Sequence, residues 1–94
     1  MRHALRVDSN QTQVVSALKA AGATVEVIAK PVDLLVGGIT KTGEKRMLLM
    51  EVKDGKDKTL TSYQKGFFAR WDGYAIARVD GPEAAVRAYR VLIA

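Results

Sequence analysis

Residues 46 to 52 read Arg-Met-Leu-Leu-Met-Glu-Val. Four apolar side chains in succession need cover on both faces of a strand, so this run predicts a strand in the middle of a sheet. In a chain of 94 residues that demand constrains almost everything else. The other segments must supply its neighbours and the helices above them, in one domain spanning residues 1–94.

The remaining segments have that character. From Ser9 or Asn10 the apolar residues Val14, Val15, Leu18 and Ala21 recur at helical offsets. Asp8, Ser9 and Asn10 are all capable N-caps, Asn10 and Gln13 have capping-box spacing, and Gly22 fits a C′ position. The β-branched run 24 to 28 predicts a first strand, and Pro31 interrupts it. Residues 33 to 36 predict a second strand, closed by Gly37-Gly38, before the central one. Thr61 and Gln64 repeat the capping-box spacing at the start of a helix with Phe67, Phe68 and Trp71 on one face, and Gly73 stops it. Residues 74 to 79 predict the last strand. Asp80 as cap, Pro82 in the first turn and Glu83 then open a helix over 84 to 89, with Val91-Leu92-Ile93 laid on the sheet. The order α-β-β-β-α-β-α makes an α/β fold, a small mixed β-sheet flanked by helices.

Composition narrows the chemistry. The chain has no cysteine and a single histidine, His3, so disulfide-linked partners, thiolate nucleophiles and Cys/His zinc sites are excluded. A bound metal would be held by oxygen, which suits Mg²⁺ or Mn²⁺. The opening Met1 to Arg6 is broken by charge, so no signal peptide is expected. No apolar run approaches the roughly 20 residues of a membrane span. The net charge of +5 favours a polyanionic partner.

Three residues combine into something more specific. Asp33 follows the proline, Glu51 stands near the end of the central strand, and Lys53 comes two residues later. Period-two geometry puts Glu51 and Lys53 on one side of that strand, with Val52 on the other. If the Asp33 strand is its neighbour, two carboxylates and an ammonium converge, and carboxylates that close repel unless a cation lies between them. The same residues also read as a turn aspartate and an ordinary charged strand end. Gln13 and Gln64 likewise read as plain capping-box residues, and the lysines as a solvated face.

Asp33 followed by Glu51-Val52-Lys53, with Gln64 inside the next helix, resembles the PD-(D/E)xK nuclease superfamily. More narrowly, the chain resembles the stand-alone, phage-type members of the virus-type replication-repair nuclease (VRR-NUC) family. The likeness rests on Arg6-Val7-Asp8-Ser9-Asn10-Gln11, Gly22-Ala23, Pro31 to Gly37, Glu51 to Gly55 and Leu60-Thr61-x-x-Gln64. It implies a restriction-endonuclease-like core and a metal-dependent endonuclease that hydrolyses phosphodiester bonds in DNA, leaving 5′-phosphate and 3′-hydroxyl ends. Branched DNA, such as four-way junctions or flaps, is the implied substrate and a C2 homodimer the implied assembly, in the cytoplasm of a bacterial or phage-infected host cell.

Carried over residue by residue, Asp33 and Glu51 match the metal-binding acidic pair, with the Val52 backbone carbonyl as a further ligand for Mg²⁺ or Mn²⁺. Lys53 matches the catalytic lysine and Gln64 the glutamine beside the site. Gln13 stands where the family often has an acidic residue, keeping its shape without its charge, and Pro31 precedes Asp33 by two residues where one is more common. Arg2, Arg6, Lys30, Lys41, Lys45, Lys56, Lys58 and Lys65 are the candidate contacts to the DNA backbone. Two alternatives accompany this reading. One is a nuclease-fold module that binds DNA and cuts weakly or not at all, to which Gln13 points. The other is a small structural or protein-interaction domain.

Overall fold

A computed structural model describes residues 9–54 and 59–94. Arg2, His3, Arg6, Asp8, Lys56 and Lys58 lie outside the described residues. The elements follow in the order α1 (Ser9–Ala20), β1 (Thr24–Val27), β2 (Leu34–Ile39), β3 (Lys45–Val52), α2 (Ser62–Arg70), β4 (Ile76–Val79) and α3 (Pro82–Ile93). The four strands form one mixed sheet in the order β1-β2-β3-β4. β1 and β2 are antiparallel, as are β2 and β3, whereas β3 and β4 run parallel with α2 as the crossover between them. The expected central strand lies between two neighbours. It is not covered on both faces as expected: Met47 is exposed and Leu49 half-buried, because α1 and α3 pack against the other side.

Alternation along the strands sorts the sheet into two faces. Leu34, Val36, Leu48, Met50, Val52 and Val79 face α1 and α3, where they pack with Val14, Leu18, Ala85 and Tyr89. Val14, Leu18, Leu34, Val36 and Met50 are fully buried, each stabilising the fold by about 1.5–3 kcal/mol. The opposite face carries Leu35, Leu49, Glu51, Ile76 and Arg78. Buried Phe67 and Val32 belong to neither helix layer of the main core.

Local chemistry explains the helix ends. α1 closes with a Schellman motif, in which Ala23 N donates to Leu18 O at 2.9 Å and Gly22 N to Lys19 O at 3.0 Å. Gly22 adopts φ 107°, as the C′ position requires. α2 opens with the expected capping box, Thr61 accepting from Gln64 N while the Gln64 side chain accepts from Thr61 N.

Four further expectations are corrected. Gly37-Gly38 does not close β2, which continues through both glycines to Ile39. The reason is tertiary: a Cβ on Gly38 would stand 2.5 Å from Ile93 Cγ2 and 2.6 Å from Tyr89 Cε1, so glycine lets α3 lie against the strand. Asp33 immediately precedes β2 instead of beginning it. Asp80 does not cap α3; Gly81 is the N-cap, without a side-chain bond, and α3 runs on to Ile93. Asn10 forms no box with Gln13. Its carboxamide donates to Lys53 O and to Asp80 O, both at 3.2 Å, tying the first turn of α1 to the ends of β3 and β4.

Among the described residues no helix is long and apolar enough to cross a membrane.

Candidate functional site

Asp33, Glu51, Lys53 and Gln64 come together at the end of β3, on the sheet face away from α1 and α3. The antiparallel pairing of β2 with β3 sets Leu34 opposite Met50, which carries Asp33 alongside Val52. Asp33 Oδ2 accepts a hydrogen bond from Val52 N at 2.8 Å. The N–H and C=O of one strand residue leave the strand on the same edge, so the Val52 carbonyl also faces the Asp33 side, while the Val52 side chain is in the core. Lys53 N donates to Val79 O at 2.9 Å, holding the backbone here against β4.

Gln64 joins the other two side chains. Its Nε2 donates to Glu51 Oε2, and its Oε1 accepts from Lys53 Nζ at 2.9 Å and from Thr61 N at 3.0 Å. Capping box and pocket are therefore one hydrogen-bonded unit. The two roles that the spacing of Gln64 suggests are not alternatives, since each atom of the carboxamide serves one neighbour or two. Lys53 Nζ also lies 3.3 Å from Glu51 Oε2. The first turn of α2, the positive end of its dipole, is thereby fixed beside the carboxylates.

Glu51 is only 4% exposed. Burial pushes its carboxyl above the ordinary value of 4.5, and the Asp33 charge pushes the same way. The hydrogen bond and charge of Lys53 and the hydrogen bond from Gln64 oppose that shift without cancelling it. A buried carboxylate within electrostatic reach of a second one favours an added cation. The donor set is hard oxygen throughout, which fits Mg²⁺ or Mn²⁺. It is also small: among the described residues no three His, Cys, Asp or Glu side chains gather as a metal cluster. Asp33, Glu51 and the Val52 carbonyl would have to be completed by water.

The other candidates are scattered. Gln13 is exposed on α1, one turn after Asn10, and among the described residues makes no hydrogen bond to the pocket. Lys65 follows Gln64 on α2 and is exposed; Lys30, also exposed, stands three residues before Asp33. Lys41 and Lys45 are at the far end of β3, about 20 Å from Glu51 along the strand, and line no part of the pocket. Arg46, in the same basic stretch, donates to Leu92 O and Ala94 O and so closes the end of α3. Of the surfaces that could pair two copies, Leu92 and Ile93 pack against the core and Phe67 is buried, whereas Val91, Trp71 and Tyr74 are exposed.

Sequence reasoning missed Asn10 and Arg78. Asn10 signals only as a cap and as one residue of the first-helix motif, neither of which shows its bonds to the strand ends. Arg78 is the register partner of Glu51 in β4, a relation that no local pattern reveals.

Compared with protein-family models, curated proteins and solved structures, the chain matches none of them.

Proposed function

We propose that the chain is a DNA-binding module on a restriction-endonuclease-like core, one that holds phosphodiester backbone at the Asp33–Glu51–Lys53–Gln64 pocket and cuts it slowly with Mg²⁺ or Mn²⁺. The observation that carries this reading is Gln64 bonded at once to Lys53 and Glu51, beside Asp33. A structural salt bridge needs no second carboxylate close enough to raise the pKa of a buried first one. Bound at Asp33, Glu51 and the Val52 carbonyl, a divalent cation would activate water and offset charge on the phosphate. Lys53 has three N–H donors. Gln64 and Glu51 engage two, and the third is the one a phosphate oxygen would take, where an ammonium stabilises charge gathering in the transition state. Gln64 holds Lys53 in that position.

Slow cutting follows from the small donor set, and Gln13, one turn along α1 from the Asn10 that bonds Lys53 O, adds no carboxylate to it. Recognition rests on backbone charge and shape, and a second copy of the chain would extend the basic surface along branched DNA.

The test pairs the protein with Gln13→Glu. The parent protein is expected to bind a four-way junction without metal at low salt and to cut it slowly in Mn²⁺. Gln13→Glu should bind Mn²⁺ more tightly and cut faster, while its metal-free DNA binding loosens through added repulsion. Unmoved metal affinity and rate in Gln13→Glu would leave Gln13 an ordinary exposed helix residue. A parent protein that binds neither junction nor Mn²⁺ would favour the structural or protein-interaction domain instead.

A further inference from the structure

The parallel register of β3 and β4 sets Glu51 opposite Arg78, Leu49 opposite Ile76 and Val52 opposite Val79. Residues facing each other in adjacent strands share a face of the sheet. Val52 and Val79 both enter the core beneath α1 and α3, so Glu51 and Arg78 both lie on the other side. Strands are about 4.8 Å apart, which puts the Arg78 backbone one strand-width from that of Glu51. β4 is the edge of the sheet, and Arg78 is exposed on it.

Three cations stand on the elements around this end of β3. Lys65 is on α2 next to Gln64, Lys53 is in the pocket, and Arg78 is on the next strand. Glu51 is buried on this face, but the face opens to solvent at Arg78. An arginine is also the side chain best shaped for a phosphate, because its planar fork donates two parallel hydrogen bonds.

We infer that Arg78 grips the phosphate next to the one held at Lys53, and so sets the direction in which a nucleic-acid strand crosses the end of the sheet. The inference rests on the reading of the pocket as a phosphodiester site. It adds a residue that neither motif nor spacing singles out.

The test measures the salt dependence of metal-free binding to a short duplex and to a four-way junction. Arg78→Ala is compared with the parent protein, with Arg78→Lys, and with Arg90→Ala. Arg90 is an exposed arginine of α3, on the layer that covers the other face. In Arg78→Ala the slope of log K against log salt should flatten by about 0.9, the loss of one phosphate contact, and binding at low salt should weaken about tenfold. Arg78→Lys should restore the slope but only part of the affinity, since an ammonium cannot make the paired bonds. Arg90→Ala, which removes the same charge elsewhere, should keep the parent slope.

Equal slopes for the parent protein and Arg78→Ala overturn the inference and leave the pocket reading standing. The same flattening in Arg78→Ala and Arg90→Ala also overturns it, because the slope would then report net charge alone. Absence of DNA binding by the parent protein at low salt rejects the phosphodiester reading itself, and the role of Arg78 with it.

Discussion

Glu51→Gln is expected to abolish divalent-cation binding and, in the same variant, to raise thermal stability at neutral pH. Both effects have one origin. The Glu51 carboxylate is nearly inaccessible and feels the Asp33 charge, so its folded-state pKa lies above the ordinary 4.5. For an acid whose pKa rises on folding, the stabilising contribution is complete below about pH 4.5 and is lost as pH rises through the folded-state value. At neutral pH the metal-free protein therefore bears the cost of a buried charge that Lys53 and Gln64 only partly offset. A glutamine keeps an acceptor for Gln64 and removes the charge. Each kcal/mol relieved raises Tm by about 4–8 °C in a domain of this size. The advantage should shrink as pH falls and vanish where Glu51 is itself protonated. Mn²⁺ should raise the Tm of the parent protein and leave that of Glu51→Gln unchanged. Thermal unfolding across pH, with and without Mn²⁺, reads all of this. A lower Tm for Glu51→Gln at neutral pH would show that the Lys53 pairing outweighs burial and repulsion.

Lys53→Ala should separate binding from chemistry. Removing the ammonium leaves both carboxylates in place and strips away a competing positive charge, so Mn²⁺ affinity should hold or tighten. Cleavage of a four-way junction under single-turnover conditions should fall by about 10²-fold or more, as when a charge-stabilising donor is removed from a transition state. DNA affinity should drop only slightly, one contact among several being lost. Stability should fall too, because Glu51 then lacks its counter-charge. Parental turnover in Lys53→Ala would remove Lys53 from the chemistry and leave it a partner of Glu51 alone.

How far these features could be read beforehand depended on whether their causes are local. The Schellman end at Gly22 and the Thr61–Gln64 box are set within a few residues, and both were legible from spacing. The side shared by Glu51 and Lys53 follows from strand alternation. The approach of Asp33 needed only that its strand lie beside the central one, which the short connection through Gly43 favours. Gly37-Gly38 misled because glycine pairs usually break strands, and here Tyr89 and Ile93, some fifty residues away in sequence, make glycine the residue that fits. Asn10 misled in the same way. Its amide serves two carbonyls from distant strand ends in place of its own helix. Arg78 was illegible because a parallel register is set by the whole crossover through α2 and leaves no mark in the four residues of β4.

As proposed, Asp33 and Glu51 together form one cation site beside Lys53. Calorimetric titration of Mn²⁺ into the parent protein, Asp33→Asn and Glu51→Gln tests it most directly. The parent protein should give a saturable binding heat, Asp33→Asn should bind at least tenfold more weakly, and Glu51→Gln should show no measurable binding. Superimposable titrations for all three proteins, or no binding heat in any of them, would contradict the proposed site.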